Sequence, residues 1–351
     1  MKTHIALLPG DGVGPEVVQA AVTVLDTVGL KFGHEFNYKN AVIGGAAIDA
    51  AGDPFPKETE QVCLQSDAIL FGAIGDPKYD NDPSAAVRPE QGLLNMRKTL
   101  GLYANVRPIQ TFSATVNTSP LKKSIVDGTD FVVIRELIGG IYFGERGRRK
   151  NGTEAFDTSS YSISEITRVS KFAFELAEKR HRHLTLVDKA NVLETSRLWR
   201  ETVRHMSKEY PDVIVEYMFV DNASMQIIKN PSLFDVILTE NMFGDILTDE
   251  ASVITGSIGM LPSASIGEKT SLYEPIHGSY PKAAGKNSAN PIGTILSAAM
   301  MLEHSFNLTE EAQAIRQAIE KTLEEGYGTK DIVLDSPLGT QEMAEKIALH
   351  I

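Results

Sequence analysis

Short apolar runs alternate with amphipathic stretches along most of the chain. Residues 4–8 read as a strand, broken by Pro9-Gly-Asp-Gly-Val-Gly-Pro15. Residues 16–30 then place Val17, Val18, Ala21, Val24, Leu25 and Val28 at helical spacing. Further strands are predicted over 68–73, 130–135, 184–187, 213–220 and 235–239. The C-terminal third is expected to be mostly helical, notably over 292–303 and 309–325. Strands alternating with helices predict an α/β fold. There is no internal repeat and no low-complexity linker, so domain boundaries are weakly marked. A chain of 351 residues accommodates two domains or one large α/β unit.

Gly10, Gly12 and Gly14 form Gly-x-Gly-x-Gly followed by Pro15. A dinucleotide fingerprint requires Gly-x-Gly-x-x-Gly, so these residues predict a tight strand-to-helix turn, with Pro15 at a first helical position. No Walker loop, zinc helix or metal-spaced histidine set is present. A net charge of −12 without a basic stripe argues against a nucleic-acid partner. It also means that an anionic substrate must meet a local cluster of arginines. A single cysteine, Cys63 in an apolar run, excludes an internal disulfide and reads as a buried thiol. The N-terminus has no secretory pattern and no apolar run is long enough to span a bilayer, so a cytoplasmic protein without a membrane partner is expected.

Asp245 and Asp249 are four residues apart, a spacing that puts both on one face of a helix. Two carboxylates there repel each other unless a cation lies between them. Hard divalent ions such as Mg²⁺ or Mn²⁺ favour such oxygen ligands. The alternative is an acidic first turn that suits the helix dipole. Three arginines, Arg97, Arg107 and Arg135, fall at expected element ends. Each alone reads as an ordinary ion-pair residue, whereas together they suit a dicarboxylate. Lys189 and Asp221 follow predicted strands; a lysine there is a candidate base if its pKa is lowered. Tyr142 is a candidate proton donor, or a packed aromatic in a hairpin. Asp221, Asp245 and Asp249 supply three carboxylates for one octahedral cation.

Four segments together carry a resemblance: Gly139-Gly-Ile-Tyr-Phe-Gly144, Val187-Asp-Lys-Ala-Asn191, Val220-Asp-Asn-Ala-Ser224 and Asn241-x-Phe-Gly-Asp-Ile-Leu-x-Asp249. On these the chain resembles the metal-dependent β-decarboxylating dehydrogenases, the isocitrate/isopropylmalate family, over essentially its whole length. The resemblance implies a two-domain α/β fold of that family's kind, not a Rossmann fold. It implies a large, cofactor-side domain of residues 1–103 plus 255–351, and a small domain of 104–254. An arm of about 140–161, including Arg146-Gly-Arg-Arg-Lys150, is expected to clasp a second copy in a homodimer. Lys189 and Asp221 are then expected to enter the neighbouring subunit's site. By position, Arg97, Arg107 and Arg135 bind substrate carboxylates, Asp221 contributes to substrate and metal, and Asp245 and Asp249 complete the Mg²⁺ or Mn²⁺ set. Lys189 and Tyr142 are the acid–base pair.

The same resemblance places Leu93 and Leu94, with Val192 from the partner chain, around the substituent at C3 of the substrate. Leucines do not satisfy a buried third carboxylate, so they point to the isopropylmalate branch and to leucine biosynthesis. Ordinary helix core is the alternative for the two leucines. Glu90 is expected near the nicotinamide ribose, Asn191 at the cofactor, and His277, Gly278, Ser279 and Asn290 at the adenosine. Lys282 stands where NAD-using members usually carry an acidic residue. Lysine there occurs in NADP-using relatives, but Ala283 lacks their following tyrosine. NAD is the expected dinucleotide, with NADP open. A tartrate or D-malate dehydrogenase of the same family, and a non-catalytic metal- and carboxylate-binding homologue, are the competing readings.

Overall fold

Every side chain of the run Ala68–Ala73 is buried, so both faces of that strand must be covered by other elements. A computed structural model describes residues 1–80 and 87–351. Contacts divide the chain into two units, Met1–Leu102 with Gly256–Ile351, and Tyr103–Thr255. The described residues contain β1 (Lys2–Gly10), β2 (Glu35–Asn40), β3 (Ala68–Ala73), β4 (Ala104–Gln110), β5 (Asp130–Glu136), β6 (Arg146–Arg149), β7 (Glu154–Asp157), β8 (His183–Asp188), β9 (Ile214–Phe219), β10 (Val236–Thr239), β11 (Pro262–Ile266) and β12 (Ser271–Pro275).

In the first unit the strand order is β2-β1-β3-β12-β11. The first four are parallel and β11 is antiparallel to β12. The helix Gly14–Phe32 buries Val17, Val18, Ala21, Val24, Leu25 and Val28, the face that its apolar spacing predicts. The helix Ile292–Phe306 is buried along nearly its whole length. The C-terminal third carries the expected helices as Ile292–Phe306 and Thr309–Glu324, with β11 and β12 ahead of them.

In the second unit the order is β4-β5-β10-β8-β9, parallel except for β4 against β5. The strand expected over 213–220 stops at Phe219, because Val220 already begins the helix Val220–Lys229. β6 and β7 form a separate antiparallel hairpin, with Arg146 opposite Asp157 and Arg149 opposite Glu154. No helix among the described residues is long and apolar enough to cross a membrane.

The glycine turn after β1 is a structural device. Gly10 has φ +70°, and a Cβ there would lie 1.9 Å from the carbonyl of Ala73. The turn buries Asp11, whose carboxylate accepts the N–H groups of Gly45 (2.9 Å), Ala46 (2.9 Å) and Gly75 (3.0 Å). Cys63 is fully buried on the helix Lys57–Gln65, and burial pushes its thiol up to about 12. Asp11→Ala strands three donors at once and is expected to destabilise the fold by about 3–5 kcal/mol. Denaturant unfolding checks this, with Asp11→Asn recovering part of the loss.

Candidate active site

Arg135, the next-to-last residue of β5, is 3% exposed. A guanidinium buried to that degree must be paired. Its Nε donates to Asn241 Oδ1 (3.0 Å), and its Nη1 donates to Asp245 Oδ1. Both partners lie on the helix Asn241–Ser252. That helix starts at a side-chain cap, where Glu240 accepts the N–H of Phe243 (2.8 Å). Gly244 lets the arginine lie across the helix, because a Cβ there would be 2.6 Å from Arg135 Cγ.

Asp245 and Asp249 stand in the middle and last turns of this helix, not in the first. The dipole reading of the pair therefore fails. Tyr142 donates its phenol proton to Asp245 Oδ2 (2.9 Å), and Arg135 lies over its ring, 5.8 Å from the centroid. Arg107 is inside β4 and not at an element end; its Nε donates to Asn105 Oδ1 (2.6 Å) and its Nη1 to Thr248 Oγ1 (2.5 Å). The same Nη1 is 3.8 Å from Asp249 Oδ1.

These neighbours push the two carboxyls apart. Partial burial works against charge on Asp245, but Arg135, Tyr142 and Arg107 together hold its carboxyl below the usual range. Desolvation raises Asp249; Arg107 pulls the other way, and the charge on Asp245 adds to the rise. Burial and the adjacent Asp245 push the Tyr142 phenol up to about 12, so at neutral pH it carries its proton.

Tyr142 closes the short 3₁₀ turn Gly140–Tyr142. At the root of that turn Glu136, fully buried, accepts the N–H groups of Ile138 (3.0 Å) and Gly139 (2.8 Å). Burial raises its carboxyl to about 7, against the pull of those two N–H groups. Tyr161 packs edge-on against Trp199 at 5.4 Å between ring centroids. Its hydroxyl accepts the N–H of Asn241 (3.0 Å) and donates to Glu240 Oε2 (3.2 Å).

Asp221 stands in the first turn of the helix Val220–Lys229, where it forms an ion pair with Lys189. Hydrogen bonding from that lysine lowers its pKa. Lys189 also lies 5.9 Å from the centroid of the Phe219 ring. Asn191 and Val192 follow in the exposed segment after β8, with Val192 61% exposed. Among the described residues of one chain, no three carboxylates, histidines or cysteines gather into a metal site. Asp221 therefore does not join Asp245 and Asp249 within a single chain.

The remaining candidates belong to the first unit. Arg97, in the last turn of the helix Pro89–Thr99, is buried and donates from Nη2 to Glu274 Oε1 (3.3 Å). Its Nε is buried without a hydrogen-bond partner. Leu93 and Leu94, on the same helix, are partly buried. The Glu90 carboxylate and the Ser279 hydroxyl both flank Gly75. Val13 N–H donates to the Ser279 carbonyl (2.8 Å), which ties the glycine turn to the 277–290 segment.

A cavity of about 590 Å³ is lined by His277, Gly278 and Asn290, together with Val13, Ser288 and Lys330. Lys282 is exposed and is not among its lining residues. His277 Nδ1 faces the Gly278 carbonyl at 2.9 Å, while its Nε2 is buried without a partner. Desolvation keeps the ring neutral. Asn290 Nδ2 donates to Asp331 Oδ2 (3.0 Å), and Asn290 Oδ1 accepts the N–H of Ile292 (3.0 Å).

A profile described as isocitrate/isopropylmalate dehydrogenase matches residues 4–347. The chain belongs to the isocitrate/isopropylmalate dehydrogenase family. It is 53% identical to the 3-isopropylmalate dehydrogenase of Bacteroides fragilis strain YCH46, over 100% of this chain and 99% of that protein. It is 54% identical to the enzyme of that name from Aquifex aeolicus, covering 99% and 96% of the two chains. Among solved structures it resembles isocitrate dehydrogenase from Methylococcus capsulatus, with TM-score 0.89, 34% identity and 99% of each chain covered. It also resembles a beta-decarboxylating dehydrogenase from Thermococcus kodakarensis, with TM-score 0.82, 34% identity, and 99% and 96% covered.

Within this family framework, several site residues escape a reading of spacing. Asn241 and Thr248 hold Arg135 and Arg107, Tyr161 and Glu240 hold the start of the helix Asn241–Ser252, and Glu136 holds the root of the turn that carries Tyr142. One signal was available: Glu136 directly follows Arg135, so β5 ends in two successive charges that must both be accommodated.

Glu136 also gives the fold a pH dependence. Its folded pKa of about 7 lies above the ordinary 4.5, so the native state holds this proton more tightly than the unfolded chain. The contribution favours the fold below pH 4.5 and is lost as pH rises through 7. The loss amounts to roughly 3 kcal/mol. Melting temperature measured from pH 5 to 8 is expected to fall more steeply for the parent protein than for Glu136→Gln; parallel curves would refute the assignment.

Proposed function

We propose that this chain is an NAD-dependent dehydrogenase that oxidises and decarboxylates (2R,3S)-3-isopropylmalate, a step of leucine biosynthesis in the cytoplasm. The curated relatives at 53–55% identity bear the name 3-isopropylmalate dehydrogenase, and the family is in general NAD-dependent and metal-requiring. The observation that carries the reading is Asp245, held between the Arg135 guanidinium and the Tyr142 phenol, one helical turn from Asp249. A substrate anion, a divalent cation and a proton donor are all served at that one spot.

The donor set fits Mg²⁺ or Mn²⁺. Asp245 and Asp249 present hard oxygens on one helix face, four residues apart. Asp245 and Asp249 would hold the ion, with Asp221 arriving from a second copy of the chain. When bound, the ion supplies stabilisation of the negative charge that develops on the C2 oxygen.

The chain's own residues take the remaining tasks. Arg97, Arg107 and Arg135 bind the malate carboxylates. Lys189, through a short relay, would accept the C2 hydroxyl proton, and a bound nicotinamide would supply the hydride acceptor. After CO₂ departs, Tyr142 delivers its proton to C3. Leu93, Leu94 and the partner chain's Val192 surround the isopropyl group. Glu90 and Asn191 face the nicotinamide half of the dinucleotide, while His277, Gly278, Ser279 and Asn290 hold the adenosine. Lys282 weakens discrimination against a 2′-phosphate, because no carboxylate stands there to accept the ribose hydroxyls.

Exposed surface supports a homodimer with shared sites. Lys189 and Asp221 lie at the surface of the second unit. The same unit exposes Met225 (55%), Ile246 (59%) and Val253 (44%). Pairing two copies would cover these apolar side chains. The arm of about 140–161 clasps the partner.

Steady-state assays with isopropylmalate, isocitrate, tartrate and D-malate, each with NAD and NADP, are expected to favour isopropylmalate with NAD. A clear preference for D-malate would overturn the substrate assignment. Chelation is expected to stop turnover and Mg²⁺ or Mn²⁺ to restore it; full activity in metal-free buffer would reject the aspartate site. Lys189→Met is expected to lower kcat by about 10³-fold or more while leaving folding and dimerisation intact. A variant that still turns over would remove the lysine from the mechanism.

A further inference from the structure

The last two residues of β5 diverge: Arg135 reaches Asp245 and Asn241, while Glu136 accepts the backbone N–H groups of Ile138 and Gly139. Those two N–H groups immediately precede the turn that carries Tyr142. The turn is gripped from the other side as well. Asn241 Nδ2 donates to the Gly139 carbonyl (3.1 Å). A Cβ on Gly139 would meet the Tyr161 ring at 2.7 Å, and one on Gly140 would meet the Tyr161 hydroxyl at 2.4 Å. With Glu136 below, Asn241 beside and Tyr161 against it, the backbone of 138–140 has little freedom to move.

We infer that Glu136 is a positioning residue for Tyr142, holding the phenol at the place from which its proton is delivered to carbon. The inference rests on the reading of Tyr142 as the proton donor. Glu136 acts through the turn and does not take part in hydride transfer. Misplacing a proton donor by about 1 Å costs on the order of 10²-fold in its step. Glutamine at 136 keeps one acceptor but turns an NH₂ group toward the second backbone N–H, so the root of the turn must shift. Aspartate keeps the carboxylate but withdraws it by one methylene.

The protonation step is isolated by incubating the holoenzyme, with Mg²⁺ and dinucleotide, in D₂O with 4-methyl-2-oxopentanoate and following loss of the C3 protons by NMR. Hydride transfer is read separately, as the pre-steady-state burst of reduced dinucleotide from isopropylmalate. For Glu136→Gln the expected result is exchange slowed about 10–100-fold, with the burst rate and the KM for isopropylmalate within about twofold of the parent. Glu136→Asp is expected to show the same split with a smaller loss, and supplies the test if the glutamine variant does not fold. Parent-like exchange in both variants overturns the positioning role and leaves the proposed function standing. Exchange and burst falling together overturns it in favour of a general structural role. A parent protein that folds, oxidises isopropylmalate and yet catalyses no exchange removes Tyr142 as donor, and the inference falls with it.

Discussion

A buried positive charge at the end of β5 organises the second unit. Arg135 has no access to bulk water, so its guanidinium must be met by an anion and a neutral acceptor. Asp245 and Asn241 provide them from a single helix, which fixes that helix against the strand end. The close approach in turn demands a residue without a side chain at 244. Removing Asp245 would take the anion from a buried guanidinium, whereas Asp245 itself is partly exposed. The ion pair therefore sets strand end, helix position and phenol position together.

The same cluster leaves electrostatic work undone. Arg135 compensates Asp245, but Asp249 at 3.8 Å from Arg107 is only loosely balanced, and its carboxyl is raised. Asp221, the third carboxylate of the expected set, is held by Lys189 on a separate surface of the chain. The residues proposed for acid, base and metal roles thus lie in two places within one chain. The proposed pairing of two copies supplies to each what it lacks, and it places the exposed apolar side chains of the second unit under cover.

Some of this was legible in the residues alone. The strand Ala68–Ala73 and the helix Gly14–Phe32 follow their apolar patterns closely, since burial on both faces or on one stripe leaves a dense signal. β2, Glu-Phe-Asn-Tyr-Lys-Asn, is a partly exposed edge strand without such a signal. β4 contains Arg107 and Pro108, which disguise it. β11 and β12, rich in serine and proline, interrupt a region whose helices dominate the pattern. The Asp245–Asp249 pair was visible because its two members are one helical turn apart. Tyr161 and Asn241 were not, because each acts on a segment far away in the chain that only folding brings near.

The lone sulfhydryl has a practical corollary. Cys63 is sealed in the interior and keeps its proton far above neutrality, so it is a poor nucleophile at ordinary pH. Maleimide dyes, spin labels and cross-linkers would find almost nothing to react with on the native protein. A cysteine introduced at an exposed position such as Val253 would then be the one labelled site, with negligible background, and would report directly on whether that surface meets a second copy.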